Sequence, residues 1–562
     1  MDLPLYLEPR LDTRLASLLE ATGFLHALAG GLGSPLNVVL PDQIAENLAR
    51  FRAVYRRHHL SGEVFFAHKA NRSSALVRRL AATDVGAGMD VASLGELQHA
   101  LGAGFTSGQI MATGPKSPEF LWLAARSGVA VNVDGRGELD DLAAVVRRYD
   151  LPRVRILLRL SSFSSPGVRL LTRMSQFGTP VGELDALLKA VERHQDAVDF
   201  MGVGYHLDTT SIAEKAVALE GCVLVMNECR SRGLEPRVID VGGGFGVNCL
   251  SDGGQWDRYT TELTQAVMGN REALTWGRHG YGLRCEAGTL RGGLGLYPAH
   301  RPVAGERYLD ALLSHPAPLL GRTLAAALLE SLYDLYTEPG RALVDQCGLT
   351  LARVLEVRRT EDGDRMVRLE ANADDIGLEE HAVLMDPVVI PRAGTRDAAT
   401  DREPIGVYLT GNLCLETDLI TRRMVFLPRL PQPGDLLGFA NTAGYCMDFS
   451  ADPGRERVQA CDARRGTRDR AQVMRSVRVR AGLEPSRPSW HAPGAGRRAR
   501  SPRPGDGAVR GPAHPTPAPN RPRPQPQSRP DSAHPPDHRR PPARHNRPGD
   551  RHPHRAGIRH HA

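Results

Sequence analysis

From residue 44 to residue 341 short apolar runs alternate with amphipathic stretches. In the stretches Ser73 to Ala82 and Gly95 to Ala103 the apolar residues fall three and four apart, as on one face of a helix. The apolar runs read as buried strands. Four of them end at Phe66-Ala67-His68-Lys69, Gly88-Met89-Asp90-Val91, Ile110-Met111-Ala112-Thr113 and Val131-Asn132-Val133-Asp134. Four more are Val154 to Leu160, Val203-Gly204-Tyr205-His206, Val238-Ile239-Asp240-Val241 and Tyr333 to Thr337. Eight strand–helix units in succession predict an α/β fold, a (β/α)8 barrel of the TIM type. The stretch from Ser251 to Ala326, before the last strand, is longer than such a unit needs and reads as an insertion.

Beyond Arg341 the period changes to short alternating segments, such as Arg353 to Val357 and Met366 to Leu369, with a Pro433-Gly434 turn. These predict a β domain of sandwich or barrel type, and Leu36 to Leu40 is expected to add a strand to it. The expected divisions are an N-terminal segment 1–43 joining the β domain, a barrel 44–341 with the insertion at about 251–326, a β domain 342–463 and a tail 464–562.

Composition alters this picture mainly at the end of the chain. The net charge of +7 comes largely from the tail, which is Arg, Pro, Gly and His with few large apolar residues. Such a segment cannot bury enough surface to offset its ordering entropy and is expected to be disordered. The abrupt change of composition, without aromatics interleaved for base stacking, favours a non-functional extension or a shifted reading frame over a nucleic-acid- or membrane-binding tail. No apolar run is long enough to span a bilayer, and Met1-Asp2-Leu3-Pro4 opens no secretory signal. Eight scattered cysteines without Cys-x-x-Cys spacing fit reduced thiols and no zinc site. A cytoplasmic protein without nucleic-acid, membrane or metal partners is expected.

Chemistry enters with Lys69. The chain has four lysines among 71 basic side chains, and one of them stands at a strand end. Arginine would serve for solvation, so a lysine there points to a primary amine able to form a Schiff base. A surface lysine just past a strand is the bland alternative. Barrel enzymes place their chemistry at the C-terminal ends of the strands, and Asp90, Arg159, His206, Gly242 to Gly244, Glu338 and Arg341 fall there too. Gly242-Gly243-Gly244-Phe245-Gly246 lets backbone N–H groups approach an anion, although its spacing is neither a dinucleotide fingerprint nor a P-loop. Glu338-Pro339-Gly340-Arg341 sets an acid and an arginine on a tight turn. No second metal ligand lies near His206, so a ring stacked on a cofactor, or a core histidine, is the reading of that residue.

Taken together these segments resemble the fold type III pyridoxal-phosphate decarboxylases, which include diaminopimelate, ornithine and arginine decarboxylases. The resemblance runs from about Gly33 to Phe449. It rests on His68-Lys69-Ala70-Asn71, on Asp90-Val91-Ala92-Ser93 and the Gly95-Glu96-Leu97 that follows, on His206, on the glycine loop and on Glu338 to Arg341. Gly411-Asn412-Leu413-Cys414 and Ala443-Gly444-Tyr445 are similar to two further family segments. The resemblance implies pyridoxal 5'-phosphate as cofactor, bound to Lys69 as a Schiff base, and decarboxylation of an amino acid through a quinonoid intermediate. It implies that His206 stacks on the pyridine ring and that Glu338 holds the ring nitrogen protonated. Gly242, Gly243, Gly244, Arg341, Tyr445 and Thr209 would hold the phosphate, with Asp90 and Arg159 supporting. Cys414, Glu416 and Asp418 would reach the site from a partner subunit, Cys414 as a proton donor, which implies a homodimer.

Two segments depart from the family pattern. Cys414-Leu415-Glu416 stands where diaminopimelate decarboxylases carry Cys-Glu-Ser, and His381-Ala382-Val383-Leu384-Met385 stands where they carry Arg-Pro-x-Leu-Tyr. Both changes remove groups that hold the far end of diaminopimelate, so another substrate is expected. A racemase or epimerase on the same scaffold, and a non-catalytic pyridoxal-phosphate-binding protein, are the alternatives.

Overall fold

The computed structural model describes residues 4–83, 86–163, 175–207, 209–392, 405–447, 461–463 and 477–479. Most of the tail, expected to be disordered, lies outside them. Among the described residues eight parallel strands close into a barrel: Gly62–Ala67, Gly88–Val91, Ile110–Ala112, Ala130–Val133, Val154–Ser161, Val198–Tyr205, Val238–Asp240 and Asp334–Thr337. The last strand closes on the first through Leu335 opposite Gly62 and Thr337 opposite Val64. All eight expected strands are present.

The strands read as continuous apolar runs because both of their faces are covered. Outward residues such as Val64, Phe66, Met89, Val91 and Ile239 pack against the surrounding helices and are buried. Inward residues form a separate cluster of Phe65, Met111, Ala130, Leu157 and Val238, with Met201 and Tyr336 against it. This plug makes the barrel interior a packed core and leaves chemistry to its C-terminal mouth.

The remaining strands form a seven-stranded, mostly antiparallel sheet around the long strand Gly348–Arg359. Leu36–Val39 pairs antiparallel with it, as the apolar run there predicts. Leu436–Ala440 and Arg365–Leu369 flank it, and Ile405–Thr410 and Leu419–Leu427 continue the second side. Two N-terminal helices, Thr13–Glu20 and Thr22–Leu32, bury Leu15, Leu19, Leu25 and Leu28 against Leu349, Leu351, Ile390 and Leu436 of this sheet. No single helix among the described residues is long and apolar enough to cross a membrane.

The insertion is ordered and ties the barrel to the sheet domain. It carries the helices Gly253–Val267 and Gly305–Ser314 and a hairpin, Leu283–Glu286 with Thr289–Gly292. Thr275 forms a bridge with Arg423, and Met424 N donates to Leu274 O at 2.9 Å. Tyr297 N donates to Ala382 O at 2.9 Å, so the insertion also reaches the segment that departs from the family pattern.

Candidate active site

The first barrel strand ends in a single 3-10 turn, His68–Ala70, which lifts Lys69 over the barrel mouth. The turn is pinned from the sheet domain: Tyr445 N donates to Ala70 O at 2.9 Å, and Asn71 Nδ2 donates to Ala443 O at 2.9 Å. Beneath it His68 is buried, with Nε2 2.8 Å from His99 Nδ1, and His99 Nε2 lies 3.0 Å from Ser74 Oγ. Burial, helped by His99 and Arg72, pushes the His68 imidazole down to about 3, so it stays neutral. Lys69 itself is half-buried. Burial opposes its charge, but Asp90, Tyr445 and Glu338 outweigh burial and hold its pKa above the usual lysine value.

Three carboxyl groups converge on this mouth from different strands. Asp90 ends the second strand, where Ala67 is its register neighbour, and accepts a hydrogen bond from Thr113 Oγ1 at 2.6 Å. Burial and the neighbouring Glu338 push Asp90 up to about 8. Asp240 ends the seventh strand, accepts from Gly242 N at 2.8 Å, and is held well above the carboxylate range by burial and Glu338. Glu338 follows the eighth strand. Burial pushes it up, but His206, Lys69 and Asp240 outweigh that and keep it below its ordinary value. One carboxylate is therefore favoured as the anion, with two more acids beside it that resist ionisation.

His206 follows the sixth strand with its side chain 31% exposed, enough to leave a ring face open to the mouth. Its Nδ1 lies 3.7 Å from Glu338 Oε2 and accepts from Gly243 N at 3.2 Å. The glycine loop requires glycine. Gly242 and Gly244 have φ of +62° and +80°, and a Cβ at Gly243 would strike Glu338 O at 2.7 Å. Lys215, fully buried in the helix Ile212–Ser231, donates to Gly243 O. In a trans peptide the next N–H points the opposite way, so this bond turns Gly244 N–H away from Lys215.

Arg341 lies with its guanidinium carbon 5.1 Å from the Tyr445 ring centre. A Cβ at Gly340 would meet Tyr445 Oη at 2.7 Å, so the Glu-Pro-Gly-Arg turn and Tyr445 are fitted to each other. Arg159 pairs with Asp134 at 3.3 Å and covers the Phe177 ring. Thr209 is half-buried, and its hydroxyl accepts from Ser211 N at 3.1 Å.

Cys414, Glu416 and Asp418 are placed differently. Residues 412–417 form an exposed loop of the sheet domain, and among the described residues Cys414 and Glu416 make no hydrogen bond or ion pair with the barrel mouth. Asp418 turns inward. It is 6% exposed, and its carboxylate accepts from Leu413 N and Ala373 N, each at 2.8 Å. Its side chain therefore anchors the loop that carries Cys414 and does not itself extend outward. Asp418→Ala is expected to cost about 2 kcal/mol of stability, the scale of charged hydrogen bonds to a buried carboxylate. A lowered urea midpoint, with more rapid proteolysis near Leu413, is the measurement.

The sequence pointed to Lys69, His206, the glycine loop and Glu338, but not to Asp240 or Lys215. Lys215 had a signal in being another of the four lysines, placed early in the helix after the sixth strand.

The chain is similar to known proteins. Residues 42–290 match the family described as pyridoxal-dependent decarboxylase, pyridoxal binding domain. An uncharacterized protein of Sinorhizobium fredii is 31% identical over 79% of this chain and 90% of its own length. A diaminopimelate decarboxylase of Actinosynnema pretiosum is 28% identical over 74% of this chain and 81% of its own. Among solved structures, the diaminopimelate decarboxylase of M. jannaschii in complex with L-lysine superposes with a TM-score of 0.56 at 20% identity, covering 76% of this chain and 87% of that one. The residues at the mouth suit the cofactor of this family: an amine at the strand end, a buried carboxylate kept anionic, and a glycine turn in which a side chain would clash. The chain belongs to the fold type III pyridoxal-phosphate-dependent decarboxylase family.

Proposed function

We propose that the protein decarboxylates an amino acid, with Lys69, His206 and Glu338 acting directly on pyridoxal phosphate and substrate. The observation that carries this is the Glu338 carboxylate, kept anionic in a buried place between two acids that resist ionisation. When bound, the cofactor supplies a carbonyl for the amine and a conjugated ring that accepts the electron pair left by departing carbon dioxide. Glu338 suits the ring nitrogen, where an anion holds the proton that makes the ring a strong electron acceptor. Lys69 is the amine placed to capture the carbonyl and to exchange it for the substrate's amine. His206 presents a ring face, and Asp90, held by Thr113, stands beside Lys69. The glycine loop, Arg341, Tyr445 and Thr209 are assigned to the phosphate.

The loop 412–417 exposes Leu413 and Leu415 at 50% and 62%, together with Cys414 and Glu416. Such apolar exposure around a thiol supports a homodimer in which each loop enters the partner's site and Cys414 delivers a proton to Cα. On this reading Leu415 offers a distal amine no charge. His381 packs 5.9 Å from Tyr445, and burial and Arg341 push its imidazole down, so it presents no cation to a distal carboxylate. The substrate we propose is therefore an L- or D-amino acid other than diaminopimelate.

Proton NMR in heavy water tests the reading, with cofactor-loaded protein and a panel of amino acids that includes diaminopimelate. An amine bearing one deuterium at the former Cα is the expected product, with diaminopimelate turned over at least about 100-fold less well than the preferred substrate, the scale of losing a charged partner. Exchange at Cα with the carboxylate retained would replace this reading by racemisation.

A further inference from the structure

The insertion brings a guanidinium to the end of the glycine loop. The loop's polar groups can be followed one by one. Gly242 N and Gly243 N are spent on Asp240 and His206, Gly243 O on Lys215, Gly246 O on Gly305 N at 2.8 Å, and Val247 N on Tyr297 Oη at 2.8 Å. Among the described residues, the N–H groups of Gly244, Phe245 and Gly246 have no acceptor. Three successive unspent donors form a concavity that accepts an anion.

Arg301 stands at the Gly246 end of this concavity. A Cβ at Gly246 would lie 2.7 Å from Arg301 Nη1. The residue is 8% exposed, yet its guanidinium has no hydrogen bond and no ion pair among the described residues, and Nε is sealed without a partner. What holds it is packing: its guanidinium carbon lies 4.8 Å from the Tyr297 ring centre, and its backbone N donates to Asn248 Oδ1 at 3.0 Å. Arg341 approaches the same Tyr297 ring, at 5.4 Å. Two guanidinium groups thus share one aromatic ring beside three free N–H groups. A buried arginine without an anion is costly, and this one is held at the place where an anion would relieve it.

We propose that Arg301 is a second phosphate-binding arginine, delivered by the insertion to the Gly246 end of the glycine loop, where it acts with Arg341 on the cofactor's phosphate. The inference rests on the reading of the site as a pyridoxal-phosphate site. It gives the insertion a purpose, since Tyr297 and Arg301 lie between its hairpin and its helix Gly305–Ser314. It also gives Lys215 one: fixing Gly243 O keeps Gly244 N–H turned toward the anion.

The test titrates apoprotein separately with pyridoxal phosphate and with pyridoxal, which has the aldehyde but no phosphate, and follows absorbance of the bound chromophore. In the wild type pyridoxal phosphate should bind far more tightly than pyridoxal. Arg301→Gln is expected to weaken pyridoxal phosphate about tenfold or more, the scale of a lost charge-assisted contact, and to leave pyridoxal unchanged. An unchanged ratio of the two affinities, or equal losses for both, would overturn the role of Arg301 while leaving the proposed function intact. A wild type that captures neither compound would overturn both. Should Arg301→Gln not fold, Arg301→Lys serves with inorganic phosphate as probe. Phosphate should raise the melting temperature of the wild-type apoprotein and raise it less in the variant, and equal shifts would count against the proposal.

Discussion

Lys69→Ala is expected to remove the absorbance of covalently held cofactor and to lower turnover by about 1000-fold or more. The magnitude follows from losing a nucleophile and a positioned acid–base group together. The same substitution also removes the cation that faces Asp90 and Glu338. A loss of activity in the alanine variant alone would therefore not separate chemistry from electrostatics. Lys69→Arg does so, because it keeps a positive charge at the end of the first strand but cannot form the covalent link. The arginine variant is expected to melt close to the wild type and still to hold cofactor only non-covalently, with dialysis stripping it. Retained turnover in either variant would remove Lys69 from the reaction and with it the proposed function.

What the sequence revealed and what it concealed divide along a physical line. Strands buried on both faces leave continuous apolar runs, so all eight barrel strands were legible. Their ends then located Lys69, Asp90, His206 and Glu338 because a barrel offers one mouth for chemistry. Leu36–Val39 was legible as a strand for the same reason, and its pairing with Gly348–Arg359 is what brings the N-terminal segment into the sheet. The side chains that were missed depend on contacts distant in sequence. Arg301 meets Gly246 across 55 residues of chain, and nothing local marks it among the many arginines of this protein. Asp240 was seen as the end of a strand, but its proximity to Glu338 comes from the pairing of the seventh and eighth strands. Asp418 was assigned outward from its place beside Cys414, whereas the turn at Gly411 brings its carboxylate back onto its own loop. A Cβ at Gly411 would overlap that carboxylate, which is a constraint only the folded chain displays.

Glu338→Gln carries the second large effect, and its expected result has two signs. Turnover should fall by about 100- to 1000-fold, which corresponds to about 3–4 kcal/mol of barrel-mouth chemistry. The amide matches the carboxylate in shape but carries no charge, so it cannot hold a proton on the ring nitrogen, and KM should move little. Stability of the apoprotein should change with pH. Glu338 is held below its ordinary value, so its charge stabilises the fold above the unfolded glutamate pKa of about 4.3, and that contribution is lost as pH falls through the folded-state value. The variant lacks it and should melt lower than the wild type at neutral pH. Asp90 acts in the opposite sense at higher pH, because burial and then the Glu338 charge raise it to about 8 and its ionisation costs the wild type stability in full only above that value. Removing the Glu338 charge lowers the Asp90 pKa, so the variant should recover stability relative to the wild type toward and above about pH 8. Apoprotein melting curves from neutral to alkaline pH, set beside kcat and KM, read both signs. A deficit that does not change with pH would make Glu338 a packing residue of the mouth. A deficit at neutral pH that shrinks as Asp90 ionises would make it a charge tied to its neighbours at the mouth.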